Sequence, residues 1–404
     1  MPLLDENDPH GSYRRLVEKT FKPMLEEHES QLGPLKIPNG KLAVVYDKNL
    51  METSGYAATI ADVFGESVFL VAYHSQEKEP HVRFVENGQV MQIRCHGNEW
   101  INIRGCFRYV TQKPWDRLPL SKVRTLIMNP VVCCMAGGRN KLLASVAYDM
   151  FNGKFNTLSI HTPRTISHVA KKDVPEWVAK FGGCAVVKQP YSNAGQGVWC
   201  VTKQQELDEF MNDQDDDQDQ YEQYIVQSLI GHSKWSSSSS SLHNSTTAPL
   251  YHVGTVPNSK RNIYVADLRM MIHYDYEKGQ FYPLALYARK AKSPLTEHID
   301  GTNSWDVLGT NLSVKLGAGK WDTEQDRLII CDRKHFSKLG LGVDNLIEAY
   351  IQSVLATVAI DGYATDLLME DGLRFNRGQF FNVNRDRVLL NELSLLGDDS
   401  RGDL

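Results

Sequence analysis

The sequence predicts a mixed fold, α/β followed by α+β, spread over more than one domain. Three observations carry this prediction. A chain of 404 residues exceeds what a single hydrophobic core usually serves. Short apolar strands alternate with helical stretches through its first third. Farther along, paired β-rich segments accompany one long helix with an apolar stripe.

Residues 1–37 read as a helical lead-in, because Tyr13, Leu16, Val17, Phe21 and Leu25 recur at helical spacing. An N-terminal α/β domain spans 38–135. It opens with a buried strand at Lys41–Asp47, a helix around Ser54–Phe64 and a second strand at Ser67–Ala72. Gln89–Val110 has the composition of a small sheet or hairpin, and Val123–Met128 adds a short strand. The next domain, 136–225, begins with a helix at Asn140–Phe151. The strand Cys184–Lys188, its partner Gly197–Val201 and a helix at Gln204–Met211 follow. The helix runs into the acidic stretch Asn212–Gln220, whose spacing is not that of a calcium loop and which reads as a solvated loop.

The last domain, 226–404, takes the strand Tyr224–Ile230 at its border. A Ser-rich insertion near 233–261 contains six consecutive serines from Ser236 to Ser241. Such a composition buries too little apolar surface to order itself and predicts a flexible surface loop. Strands are expected at Asn262–His273 and Tyr282–Arg289. A helix over Asp344–Ile360 carries Ile347, Ile351, Val354 and Val358 on one stripe, with Asp344 as its cap. Strands near Tyr363–Met369 and Val388–Leu393 complete the order. No internal repeat is visible.

Composition narrows the function classes. Hydrophobic residues make up 42% and charged residues 23%, values of an ordinary globular protein. A net charge of −5 argues against nucleic acid or an acidic membrane as the main partner. No apolar run of spanning length is expected, and the polar start Met1–His10 does not read as a signal peptide. The seven cysteines form no CxxC pair. They read as reduced thiols of a cytoplasmic protein, with nothing in the sequence to activate Cys133 or Cys134.

Three local patterns carry chemistry. In the first, Lys188 ends a buried strand, and Ser192-Asn193-Ala194-Gly195-Gln196-Gly197-Val198 leads into the next one. Backbone N–H groups in such a turn can face phosphate oxygens beside the lysine charge. No GK[ST] ends the turn, so it is not a P-loop. An ordinary hairpin turn uses the same residues. In the second, Asp366 and Glu392 interrupt apolar runs, where carboxylates need a partner or a cation. Two carboxylates on neighbouring strands suit Mg²⁺ shared with phosphates; strand ends in water or salt bridges are the alternative. In the third, Arg269 and Arg289 interrupt apolar strands and suit a forked grip on phosphate or carboxylate oxygens, with a surface salt bridge as the alternative.

The series Lys141, Lys188, Gln227-Ser228-Leu229-Ile230, Arg269, Arg289, Asn311, Asp366 and Glu392 resembles the ATP-grasp superfamily. The likeness is to its carboxylate–amine ligases, such as D-alanine–D-alanine ligase, glutathione synthetase and the ribosomal-protein glutamate ligases, over about residues 136–397. It implies an ATP-grasp fold with an N-terminal α/β (pre-ATP-grasp) domain, a central lid domain and a C-terminal α+β domain. By the resemblance, Lys141 and Lys188 hold ATP phosphates, and Ser192 to Val198 close over them. Gln227, Ser228, Leu229 and Ile230 form the hinge whose backbone meets adenine. Arg269 and Arg289 act near the γ-phosphate and acyl phosphate, and Asn311 lies near the phosphates. Asp366, Glu392 and Ser394 hold Mg²⁺, with Mn²⁺ as an alternative. Ser394 stands where the family usually has Asn, and Ser228 where it usually has Glu.

The resemblance implies an ATP-dependent ligase with a small carboxylate and an amine as substrates, no nucleic acid or membrane partner, and a homodimer as one assembly. A small-molecule kinase and a non-catalytic ATP-binding protein are the alternatives.

Overall fold

The computed structural model describes residues 11–46, 50–73, 80–95, 98–109, 118–119, 123–138, 140–190, 197–213, 223–230, 255–258, 260, 262–295, 303–317, 320–330, 339–369 and 374–384. It is a mixed α/β structure with several sheets. The chain forms two compact units. One holds Asp5–Ala147, His273–Leu284 and Thr357–Leu404; the other holds Met1–Leu4, Tyr148–Ile272 and Ala285–Ala356.

The first unit opens with α1 (Gly11–Leu16) and α2 (Lys22–Leu32), joined by a π turn over Val17–Phe21. Strands β1 (Lys41–Tyr46) and β2 (Val68–Ala72) flank α3 (Leu50–Phe64), and β3 (Val82–Val85), β4 (Val90–Arg94), β5 (Trp100–Tyr109) and β6 (Leu126–Met128) follow. The sheet order is β2-β1-β5-β4-β3, with β6 also paired to β5. Pairs β1–β2, β1–β5 and β5–β6 are parallel, and β3–β4 and β4–β5 are antiparallel. Central β1 is buried on both faces, as a strand in parallel surroundings must be. Its Leu42 and Val44 pack with Val17, Phe21 and Leu25 of the lead-in and with Ala57 and Ile60 of α3. A short α4 (Val131–Cys133) and a π turn over Cys134–Gly138 then lead to α5 (Lys141–Lys154).

In the second unit, β7 (Thr165–Ala170), α6 (Val174–Lys180), β8 (Ala185–Lys188), β9 (Val198–Val201), α7 (Gln204–Asn212) and β10 (Gln223–Ser228) make a four-stranded antiparallel sheet of order β7-β10-β8-β9. Alternation along the strands sends Ala185, Val187, Val201, Tyr224 and Val226 to one face. There they meet Val174, Val178, Leu207 and Phe210 of the two helices. Next come β11 (Thr255–Pro257), β12 (Ile263–Asp275), β13 (Gln280–Lys290), α8 (Ser304–Leu308), β14 (Ser313–Gly317), β15 (Lys320–Thr323) and β16 (Leu328–Ile330). They form a sheet β11-β12-β13-β16 and a two-stranded ribbon β14-β15. The helices α9 (Val343–Asp366) and α10 (Arg377–Val383) end the described chain.

Three expectations need correction. The strand expected at Tyr363–Met369 is helical as far as Asp366. Ala359, Tyr363, Ala364 and Leu367 continue a helical stripe of buried residues, and Thr365 Oγ1 donates back to Asp361 O at 3.0 Å. β character begins only at Leu368, bridged to Phe375. Asp344 lies within the first turn of α9 and does not cap it. Leu346 N–H donates to Gly342 O, and Asn345 Oδ1 reaches back to Gly342 N–H at 2.9 Å. Finally, α9 is long and apolar enough, by length and composition, to cross a membrane. A helix that stopped at Ile360, as the sequence predicts, would be short for a bilayer span. The acidic stretch from 214, the Ser-rich segment 231–254 and the strand expected at Val388–Leu393 lie outside the described residues.

Candidate functional site

The face of the β7-β10-β8-β9 sheet opposite α6 and α7 carries Thr165, Val186, Lys188, Val198, Cys200, Ile225 and Gln227. Their partners across the strands (Lys188↔Ile225, Lys188↔Val198, Val186↔Gln227, Gln227↔Thr165) fix this arrangement. Lys188 is half-buried at the end of β8. Its Nζ donates to Gln227 Oε1. Burial pulls the ammonium below the ordinary lysine range, with the Cys200 thiol acting weakly the other way. Two residues expected at the site, Lys188 and Gln227, are therefore brought together. The contact uses the Gln227 side chain, which the hinge reading did not anticipate.

The hinge residues diverge beyond Gln227. Ser228 still belongs to β10, and its N–H donates to Arg164 O at 2.9 Å. Leu229 and Ile230 leave the sheet, and Ile230 is 77% exposed. The β8–β9 pair is an antiparallel hairpin, closed by Gln189 N–H on Gly197 O at 2.8 Å. Gly197 has φ +57°, a left-handed conformation that glycine adopts without a Cβ penalty. Val198 pairs with Lys188; Ser192, Asn193, Ala194, Gly195 and Gln196 lie outside the described residues.

A second cluster forms around Asp267 of β12. Arg289 of β13 grips it in a fork, Nε to Oδ1 at 3.1 Å and Nη2 to Oδ2 at 2.5 Å. Arg269 Nη2 approaches Oδ2 at 3.2 Å, and Thr310 Oγ1 donates to Oδ2 at 2.9 Å. Arg269 and Arg289 thus meet on one carboxylate, and Asn311 follows directly on Thr310. Burial works to raise the Asp267 pKa. The Arg289 hydrogen bonds, with the Arg269 charge, outweigh it and hold the carboxyl below its usual value. The turn before Asn311 is pinned by Arg327: Nη2 donates to Gly309 O at 2.8 Å, Nε to Lys290 O at 3.0 Å, and Nη1 to Glu324 Oε2 at 2.6 Å. Sequence reading gave Thr165, Thr310, Glu324 and Arg327 no role. Their one signal was a charge, Arg327, set immediately before the apolar strand Leu328–Ile330.

In the other unit, Lys141 is the first residue of α5. Asn140 before it is fully buried and caps the helix, its Oδ1 accepting from Leu142 N at 3.1 Å and Leu143 N at 3.2 Å. Gly137 packs so closely on this turn that a Cβ would lie 2.7 Å from Ala144 Cα. Asp366 is exposed at the end of α9, close to the buried Tyr363, whose phenol burial pushes up to about 12, assisted by the Asp366 charge. Glu392 and Ser394 lie outside the described residues. Among the described residues, no group of three or more His, Cys, Asp or Glu is placed to hold a metal ion.

The six described cysteines are free. Burial pushes Cys106 and Cys200 up to about 12 and Cys133 to about 11, so these three behave as inert thiols. Cys134 differs in its contact, since Arg108 Nη2 lies 2.7 Å from its sulfur.

No family profile and no curated protein sequence matches the chain. Solved structures do. A RimK domain protein ATP-grasp from Sphaerobacter thermophilus is 10% identical, covering 79% of this chain and 100% of that one, with a TM-score of 0.34. D-alanyl-alanine synthetase A from Vibrio cholerae is also 10% identical, with coverage of 79% and 99% and a TM-score of 0.35. The ATP-grasp ligase PsnB, solved with a minimal precursor, is 11% identical, with coverage of 78% and 99% and a TM-score of 0.32. The chain is similar to ATP-grasp ligases.

Proposed function

We propose that the chain is a cytoplasmic ATP-dependent ligase of the ATP-grasp kind, which activates a small carboxylate as an acyl phosphate and couples it to an amine. The observation that carries this reading is the half-buried Lys188. Its ammonium sits on the sheet face opposite α6 and α7, against a neutral amide, beside the β8–β9 hairpin. A desolvated cation with a neutral partner attracts a phosphate strongly. In this reading 136–225 is the lid domain, 226–404 the C-terminal domain, and Lys141 joins Lys188 in holding phosphates. Leu229 and Ile230, past the end of β10, offer backbone groups to adenine, and Asn311 serves the phosphates.

Arg289 and Arg269 offset negative charge as the carboxylate oxygen attacks the γ-phosphorus and the bond to ADP breaks. The amine then attacks the acyl carbon, the C–O bond to phosphate breaks, and the amine proton leaves to solvent. Positioning and electrostatics suffice, and no protein nucleophile is needed. The exposed Asp366 carboxylate fits an ion that takes few protein oxygens. Mg²⁺ would be held by Asp366, Glu392 and Ser394 and would supply charge neutralisation at the phosphates.

The test is a screen of amino acids and small acids for ADP release, with Glu392→Gln alongside. A ligase releases ADP and phosphate only when acid and amine are both present. A stable phosphorylated product from one substrate would instead make the chain a kinase. ATP-dependent thermal stabilisation without turnover would make it a binding protein. Equal turnover by Glu392→Gln would remove the proposed metal role.

A further inference from the structure

Lys188, Gln227 and Thr165 form a hydrogen-bonded line across β8, β10 and β7. Lys188 Nζ donates to Gln227 Oε1, Gln227 Nε2 donates to Thr165 Oγ1 at 2.8 Å, and Thr165 Oγ1 donates to Pro163 O at 2.7 Å. The polarity is set at both ends. An ammonium has only donors, so it requires the amide oxygen. The Thr165 hydroxyl has one proton, committed to the Pro163 carbonyl, so it can only accept from the amide nitrogen. The Gln227 amide is therefore held in one of its two orientations by its surroundings.

We infer that the Gln227 side chain is a positioning residue for Lys188, holding the lysine ammonium in place without neutralising it. The inference rests on the proposed nucleotide function of Lys188. A carboxylate in place of the amide would hold the lysine as firmly but cancel its charge, and phosphate affinity would fall. An apolar residue would leave the ammonium half-buried with its amide acceptor gone, and the lysine would swing towards water.

The experiment measures binding of ATP and of adenosine by calorimetry to the wild type, Lys188→Met, Gln227→Met, Gln227→Glu, Thr165→Val and the Gln227→Met/Thr165→Val double variant. Melting temperatures are recorded for each. Lys188→Met is expected to weaken ATP by about tenfold or more and to leave adenosine within about twofold, since the lost contact is to phosphate. Gln227→Met should follow it, with ATP weakened by about tenfold and adenosine unchanged. Gln227→Glu should also weaken ATP, although it keeps an oxygen for the lysine, with the Thr165 hydroxyl forced to turn from the Pro163 carbonyl to the new carboxylate. Thr165→Val should lose less, and the double variant should be no weaker than Gln227→Met alone, because both substitutions break one line.

Full ATP affinity in Gln227→Met beside a defective Lys188→Met would overturn the relay and leave the nucleotide reading standing. Equal loss of ATP and adenosine in Gln227→Met, or full ATP affinity in Gln227→Glu, would overturn it too, since either result is what a purely structural glutamine gives. Wild-type affinity in Lys188→Met would remove the nucleotide reading itself, and the relay with it. Should Gln227→Met not fold, Gln227→Glu and Thr165→Val decide the matter.

Discussion

Arg289 holds Asp267 through two parallel hydrogen bonds across β12 and β13, and Arg269 and Thr310 close on the same carboxylate. The arginine side chain is 15% exposed and the aspartate 31%. Removing the carboxylate leaves a largely buried guanidinium without its fork. Asp267→Ala is expected to cost about 2–3 kcal/mol of stability, read by urea denaturation, and to release the Arg289 guanidinium from its fixed orientation.

The same carboxylate gives a pH test. Its folded pKa is depressed, since the arginines outweigh burial. The unfolded chain therefore binds the proton more readily, and folding gains stability wherever Asp267 is ionised. That contribution is complete above the unfolded carboxylate value of about 3.9 and is lost as pH falls through the lower folded value. The stability gap between wild type and Asp267→Asn should be constant near neutrality and shrink in acid below about pH 4. A gap that widens in acid would contradict the assignment.

The sequence showed these arginines but not their partner's role. Arg269 and Arg289 stood out because charge interrupts an apolar strand, a local signal. That Thr310, more than twenty residues beyond Arg289, joins them depends on a turn set by Arg327, and no periodicity reports such a tertiary contact. The β8–β9 hairpin was legible because strand alternation and a glycine turn are both local. β7 was missed because His168 adopts φ +59° and breaks the alternation. The end of α9 differs from the expected strand because Gly362 weakens a helix and Tyr363 and Thr365 are strand formers at alternate positions, while Tyr363 and Ala364 are held in the helix by burial that only the folded chain displays.

Arg327 makes a clear prediction of its own. Its side chain is 7% exposed and satisfies two carbonyls and one carboxylate from three separate stretches of chain. Lysine carries the charge but cannot span all three in one plane. Arg327→Lys should destabilise by about 2–3 kcal/mol and raise amide exchange at Gly309–Asn311, measured by hydrogen–deuterium exchange. Unchanged exchange there would show that the turn holds itself.

Asn140 is the corresponding device at Lys141. Its buried amide caps α5, and the lysine is the next residue. Asn140→Ala should cost about 1–2 kcal/mol, and Asn140→Asp should recover much of it, because the acceptor oxygen is kept. If Lys141 serves phosphate, Asn140→Ala should also weaken ATP, since the frayed first turn no longer holds the lysine in one place.

Gly137 sets how closely the preceding turn approaches that helix. Its φ of +132° disfavours any other residue, and its nearest neighbours would be backbone atoms, Ala144 Cα at 2.7 Å and Ala144 N at 2.9 Å. A flexible side chain could step aside, but the backbone of α5 can yield only by moving the helix. Gly137→Ala is therefore expected to destabilise by about 3 kcal/mol or more. Gly55→Ala lies in a helix interior, with nothing within 4 Å of the added carbon, and should stabilise by about 0.5–1 kcal/mol. The two substitutions add the same methyl group to the same unit, so opposite signs in thermal unfolding would isolate the effect of contact. Similar small changes for both would mean that α5 is not fixed by the Gly137 approach.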